Sequence, residues 1–515
     1  MKARLASRWT RILTVVLALG LCSVPISTNA AVAANNASGS WPFSNADLAN
    51  TRDTVGSTIT QANVSTLKKA WSFTLAGKAK KSVGGYGTLA ATPIVVNGVV
   101  YIQDLHSNVY ALSLATGKLE WSYVVNKKEK SGPGPNGVAI VDGMVYGATP
   151  TAVFALNAAT GHKVWFNDKL LGKGQGTFGI QPQVANGRVY LASQCGHLPG
   201  GGVLLALNAA TGSLLWTFKT VPKKDKGVEK LGLGAGGAWE TPLVSTDGSV
   251  TFGIGNPYQS VASALTDPST LLYTDSDVNV DAATGKLRWY YQGVTDDFKD
   301  YDMQTSPISA NVRGVPVVIG GGKMGIVYEM NAATGKLIWR TPVGKHNGHD
   351  DDSLQALEGK SHLKVPFTYS PGALGGILTN MALAGNTIYV VTCNVAFSFT
   401  KTDQVDGSNV GKKLSGDVEA LNLVTGKVEW TTKVNGLPLG AATISNNLVF
   451  TTLFQGELLA LNRSTGAIVF QQRLPRSTNS AIAIAGDKVI VPAGGPKYGN
   501  GKGSSQVVAY TLSPT

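Results

Sequence analysis

Only three cysteines occur among the 515 residues. Cys22 falls in an apolar run near the N-terminus, so only Cys195 and Cys393 remain to pair, and a fold stapled by disulfides is excluded. No Cys-x-x-Cys-His is present, so no c-type haem is attached to this chain. Beyond that first apolar run there is no second stretch long enough to span a bilayer. Acidic residues are outnumbered, with 31 Asp and Glu against 44 Lys and Arg and a net charge of +13. A basic surface favours anionic partners such as wall polymers. No basic helix or RNA-binding signature accompanies it, so nucleic acid is not an expected partner.

What the N-terminus does carry is a leader pattern. Lys2, Arg4, Arg8 and Arg11 precede "ILTVVLALGLCSVPI", and two small-residue cleavage candidates follow, "TNA" before Ala31 and "AVA" before Ala34. Together these predict a secretory signal peptide over 1–33. The run is too short and too early for a membrane anchor, and Leu21 is a poor residue before a lipidated cysteine. The expected product is secreted, with a short linker at 34–40 and one domain over 41–515.

Glycine, by contrast, is plentiful, and much of it recurs in one phrase. "ALSLATGKLEW", "ALNAATGHKVW", "ALNAATGSLLW", "NVDAATGKLRW", "EMNAATGKLIW", "ALNLVTGKVEW" and "ALNRSTGAIVF" place Thr-Gly pairs at 116, 160, 211, 284, 334, 425 and 465. Spacings near 40–50 residues with strand-like content are those of propeller blades. Each unit reads as four short antiparallel strands: an apolar hairpin such as "IVVNGVVYIQ", then "NVYALSL", a turn in which glycine supplies positive φ, and an outer strand such as "KLEWSY". "LKKAWSFTL" supplies a further outer strand, and the C-terminal strands "AIAIAGDKVIVPAG" and "SSQVVAYTL" lack one. The predicted fold is therefore all-β: an eight-bladed β-propeller of four-stranded antiparallel blades, its ring closed by N- and C-terminal strands, with seven blades, one per Thr-Gly turn, as the alternative. Trp71, Trp121, Trp165, Trp216, Trp289, Trp339 and Trp430 occupy the repeat position and read as packing residues between blades. Trp239, in "GGAWETP", fits no repeat.

A second anomaly is "VTDDFKDYD", residues 294–302, with four aspartates in a basic chain. Like charges this close raise one another's pKa unless a cation or solvent separates them. A solvated loop tolerates them; a metal-assisted site requires them.

With these features in hand, the chain resembles the pyrroloquinoline quinone (PQQ) dehydrogenases, most nearly their polyvinyl alcohol dehydrogenase-like branch. The resemblance rests on "DLANTRDTVGSTITQANVSTLKKAWSFTL", on the A-x5-G-x3-W repeat, and on "GIGNP" and "DYD" in that order. It implies PQQ and Ca²⁺ or a lanthanide as cofactors. Trp239 matches the tryptophan under the quinone, a flat surface suited to stacking. Asn256 matches the asparagine that ligates the metal, and Lys323 in "GGKMGIVY" the cation at a quinone oxygen, placed to stabilise developing negative charge. Asp300 matches the catalytic aspartate, which also faces the metal, with Lys299 where tryptophan is usual. Asp302 matches the further carboxylate found two residues on. Asp296 and Asp297 are expected to be solvated.

One departure stands out. The family's metal-binding glutamate falls on "SQCGHLPGGG", where His197 takes its place, and an imidazole weakens a hard-cation site. The adjacent-cysteine disulfide of the methanol and ethanol branch is absent. The insertion "GKHNGHDDDSLQALEGKSHLK", residues 344–364, holds His346, His349 and three aspartates and reads as a solvated, lid-like loop. The implied activity is oxidation of a small or polymeric alcohol, with electrons leaving to an external acceptor. The competing reading is a non-catalytic propeller that binds proteins or wall polymers.

Overall fold

The computed structural model describes residues 39–513 except 84, 126–133, 135, 195–200, 223–234, 403, 408–413 and 497–502. The leader and most of the linker, His197 and Cys195 lie outside the described residues. Cys393 is a free, buried thiol, and burial pushes its pKa up.

The described chain is built from antiparallel sheets, and the repeat phrase maps onto them directly. In the first unit Ile94–Val96, Val99–Gln103, Val109–Ser113 and Leu119–Tyr123 pair in chain order, and the following units repeat that meander. Among the described residues eight sheets contain such a four-stranded core. In one of them the outer strand comes from far away in sequence: Leu67–Thr74 pairs with Gln506–Leu512, placing Leu67 opposite Leu512. The middle strands are buried on both faces, as in Leu448–Leu453, because sheets pack against both sides. Outer strands alternate exposure, as in Leu337–Pro342.

Physical chemistry explains why the phrase takes this form. Each repeat tryptophan donates its indole N–H to a backbone carbonyl at the start of the next unit's turn. Trp71 reaches Leu114 O at 2.9 Å, Trp216 reaches Ala282 O at 3.0 Å, and Trp289 reaches Ala332 O at 2.8 Å. The Thr-Gly glycine lies directly beneath that ring. A Cβ on Gly117 would sit 2.5 Å from Trp71, and one on Gly285 would sit 2.6 Å from Trp216. These glycines also have positive φ, 69° and 68°. Glycine is thus required twice, by the turn and by the neighbour's indole. The seven tryptophans do the docking that their spacing predicts.

The segment before the first sheet is a strap rather than a tail. Arg52, fully buried, donates to Ala442 O at 2.7 Å, Thr443 Oγ1 at 2.7 Å, Asn45 Oδ1 at 2.9 Å and Ile482 O at 3.0 Å. Trp41, also buried, exchanges backbone hydrogen bonds with Val95. Ser44, on the same strap, donates to Thr241 Oγ1 at 3.0 Å.

Two features were not predicted. A three-stranded side sheet forms from Phe367–Tyr369, Phe397–Lys401 and Gln404–Asp406. The 344–364 insertion is no free solvated loop: it carries a short helix, Asp352–Leu357, with Asp352, Ser353 and Ala356 buried. Among the described residues no helix is long and apolar enough to cross a membrane.

Candidate active site

The approach to a sheet's first strand is the recurring structural address of this site. Pro93, Pro182, Pro242 and Pro307 each stand immediately before a first strand, where a missing N–H is tolerated at a sheet edge. Their neighbours Thr92, Gln181, Trp239–Thr241 and Gln304 line one cavity of about 410 Å³. Asp300, Asp302 and Lys323 line the same cavity, as does Ser44 from the strap. That volume is typical of a small-molecule site.

Lys323 enters from the turn after Val315–Gly321 and ends between two carboxylates. Its Nζ lies 3.0 Å from Asp300 Oδ2 and 2.6 Å from Asp302 Oδ2. Close approach there depends on Gly322, where a Cβ would collide with Asp302 O at 1.9 Å. The two carboxylates oppose the burial penalty and raise the Lys323 pKa. Asn256 secures both aspartates: its backbone N–H donates to Asp302 Oδ1 at 2.8 Å, and its Nδ2 donates to Asp300 Oδ1. The backbone can pass this closely because residue 255 is glycine; a Cβ there would lie 2.3 Å from Asp302 Oδ1 and 2.8 Å from Trp239 Nε1.

The two aspartates differ in setting. The Asp302 side chain is 1% exposed and that of Asp300 is 37% exposed. Burial raises the Asp300 pKa to about 7, against the opposing pull of the Lys323 ammonium. Its backbone is left-handed at φ 65°, unusual for a non-glycine residue.

Trp239, Asn256, Asp300, Asp302 and Lys323 are therefore brought together. His197 lies outside the described residues. Asp296 and Asp297 correct the sequence reading, for both are buried rather than solvated. Asp296 Oδ1 accepts from Gln259 Nε2 at 2.7 Å and from Ser269 N at 3.1 Å. Asp297 accepts the backbone N–H groups of Lys299 at 2.9 Å and Tyr301 at 2.8 Å, bracing the loop on either side of Asp300.

The sequence reading missed Glu240, Asp275 and Asp277. Glu240 lines the cavity, accepts from Asn380 Nδ2 at 3.1 Å, and is raised to about 7 by burial. Asp275 and Asp277 are fully buried, and none of their side-chain oxygens has a hydrogen-bond partner. Burial, then the nearby Asp297, Asp302 and Asp300, raise Asp275 well above the usual carboxylate range. Asp275 precedes the strand "SDVNVD" and Asp277 lies within it, on the polar face it shares with Asn279; alternation of this kind reads as a solvated face, and nothing in the sequence marks that face as buried.

The donor set suits a hard cation. Asn256 Oδ1 is buried and without a hydrogen-bond partner, beside the carboxylate of Asp300 and with Asp302 behind it. A neutral amide oxygen alongside carboxylates is what Ca²⁺-type ions select. Among the described residues no group of three carboxylates, histidines or cysteines forms a metal site by itself. Asn256 and further ligands would have to contribute. An indole and a cation in the wall of the same cavity suit a flat, electron-accepting ring.

Docked four-stranded sheets with a cavity at the approaches to their first strands define a β-propeller. The sequence matches the PQQ family described as glucose/ethanol/alcohol dehydrogenase, β-propeller domain, over residues 41–142 and 179–346, more than half of the chain. The chain belongs to that family. Residues 414–511 match the outer membrane protein assembly factor BamB family. Among curated relatives, a quinohemoprotein alcohol dehydrogenase of Comamonas testosteroni is 27% identical over 492 residues, covering 83% of this chain and 68% of that protein. The quinoprotein alcohol dehydrogenase PedH of Pseudomonas putida is 26% identical over 471 residues, covering 79% and 78%. The solved quinohemoprotein alcohol dehydrogenase ADHIIG of Pseudomonas putida HK5 superposes with a TM-score of 0.79 at 22% identity, covering 95% of this chain and 82% of that one.

Proposed function

We propose that the protein is a secreted quinoprotein alcohol dehydrogenase in which the eight sheets are eight blades of one closed ring. The observation that carries the reading is the Lys323–Asp300 pair, with Asn256 bonded to Asp300, at a cavity that Trp239 also lines. Trp239 would hold the face of PQQ, Lys323 its electron-rich edge, and Asn256, Asp300 and Asp302 the accompanying Ca²⁺ or lanthanide, with His197 the remaining candidate ligand. PQQ, when bound, supplies the acceptor for the hydride that leaves the alcohol carbon.

The chain's own residues handle the proton and the charge. Asp300 is the base: its carboxylate is the accessible one, and it takes the alcohol O–H proton. A pKa near 7 suits a base that must accept a proton and then release it close to neutrality. The Lys323 ammonium opposes the rise that burial imposes on the Asp300 carboxylate, and it stabilises negative charge developing in the cavity. The Asn256 amide fixes the carboxylate's orientation. The substrate is a small or polymeric alcohol. Electrons leave to an external acceptor, since the chain carries no haem attachment motif.

The test is reconstitution. Purified apoprotein titrated with PQQ and Ca²⁺, or with a lanthanide, should acquire bound-cofactor absorbance and dye-linked alcohol oxidation. Absence of PQQ binding under every metal would overturn the reading.

A further inference from the structure

Lys299 precedes the base directly, and its side chain is 0% exposed. It occupies an aromatic niche, with Nζ 5.3 Å from the Phe298 ring centroid, 5.6 Å from Tyr301 and 5.8 Å from Tyr369. Rings stabilise a cation facing them, yet a buried ammonium still needs a counter-charge. That counter-charge comes from the insertion. Asp352 Oδ2, in its short helix, lies 2.7 Å from Lys299 Nζ, and the same ammonium donates to the backbone carbonyl of His349. His349 Nδ1 is in turn 2.9 Å from Asp352 Oδ2.

The rest of the loop is fastened at the same point. Asp297 accepts the N–H groups on both sides of Asp300, and Tyr301 Oη donates to Pro371 O at 2.7 Å. The left-handed backbone of Asp300 thus lies between two anchored neighbours, one of them held by the insertion.

We propose that the 344–364 insertion is a positioning element for the base, and that Lys299 and Asp352 are the positioning residues through which it acts. The assignment rests on the proposed role of Asp300. Burial lowers the Lys299 pKa, and Asp352 is the largest influence opposing that loss. Removing the carboxylate leaves the buried ammonium without its ion-pair partner and the His349 carbonyl as its one remaining bond to the insertion. Neither Lys299 nor Asp352 lines the cavity that Trp239, Asp300 and Lys323 share. Their effect reaches the reaction through the aim of one side chain.

The experiment uses the full chain in four variants: Lys299→Met, Lys299→Arg, Asp352→Asn and the double apolar variant Lys299→Met with Asp352→Leu. In cofactor-free protein, amide exchange across 295–303 should accelerate about tenfold or more in Lys299→Met and in Asp352→Asn. In reconstituted enzyme kcat should fall about 10–100-fold, as small misplacements of a reacting group do. KM and PQQ affinity should stay within about twofold. Lys299→Arg should retain slow exchange and most of kcat. The double apolar variant should recover thermal stability without recovering kcat. Recovery of kcat along with stability would reduce the pair to fold support and overturn the proposal, as would unchanged exchange in 295–303. Should Lys299→Met fail to fold, Asp352→Asn carries the same readouts. A wild-type protein that oxidises no alcohol would sink the proposed function, while the exchange measurement still decides the tether.

Discussion

Asp300 and Asp302 are two residues apart and share one lysine, yet the Asp300 side chain is part exposed and that of Asp302 is buried. Their substitutions should fail differently. Asp300→Asn keeps an oxygen facing Asn256 and should leave PQQ and metal binding largely intact, while turnover falls about 10²–10⁴-fold; equilibrium titration beside steady-state rates checks this. Asp302→Ala removes the buried acceptor of Asn256 N–H and should weaken metal binding first, with activity recovered at high metal concentration. A titration of activity against metal reads the shift in midpoint. Asp277 makes a prediction about stability. Burial alone raises its pKa to about 8, and no partner compensates. Between its ordinary value and about 8, the unfolded chain releases a proton that the folded chain keeps, so this residue costs stability as pH rises across that window. Asp277→Asn should therefore gain stability relative to wild type from pH 4 to 8 and keep a constant difference above, measured by denaturant unfolding at several pH values. Trp239, Asn256, Asp300 and Lys323 were legible because each sits in a motif or breaks a repeat. The burial of Asp296 and Asp297 was not, because a run of acidic letters does not reveal the N–H groups that the carboxylates accept.

At the scale of elements, the Thr-Gly turn is the part of the chain that sequence describes most fully. Its period, its glycine and its tryptophan are all visible, and each has one physical cause. Gly285→Ala should be costly on two counts, the positive φ and the Cβ pressed to 2.6 Å from Trp216. A loss of about 1–3 kcal/mol is expected, as for overpacking elsewhere, and thermal unfolding measures it. An exposed turn glycine with open space, such as Gly143, provides the control: its φ is 72°, but nothing lies within 4 Å of an added Cβ. The insertion and the side sheet were illegible for the opposite reason. They occur once, so no repeat marks them, and their stability comes from partners such as Lys299 and Phe298 that lie elsewhere in the chain.

For the whole molecule, Arg52 matters more than its exposed-type side chain suggests. One guanidinium satisfies carbonyls at Ala442 and Ile482 while its Cζ lies 5.3 Å from the Trp41 ring centroid. Arg52→Met should lower Tm by several degrees and leave those carbonyls unpaired. Because Ser44 of the same strap lines the cavity, PQQ affinity should fall with stability; calorimetry and cofactor titration on one preparation would test the link.

The pairing of Leu67–Thr74 with Gln506–Leu512 also has a bearing on synthesis. The first of these two strands leaves the ribosome more than 400 residues before its partner, so it must wait, with a bare hydrogen-bonding edge, while the sheets between them are made. Unpaired edges recruit the wrong neighbours, and charged side chains discourage them. Lys68 and Lys69, adjacent and exposed on that strand, are well placed to keep it unattached until its partner arrives.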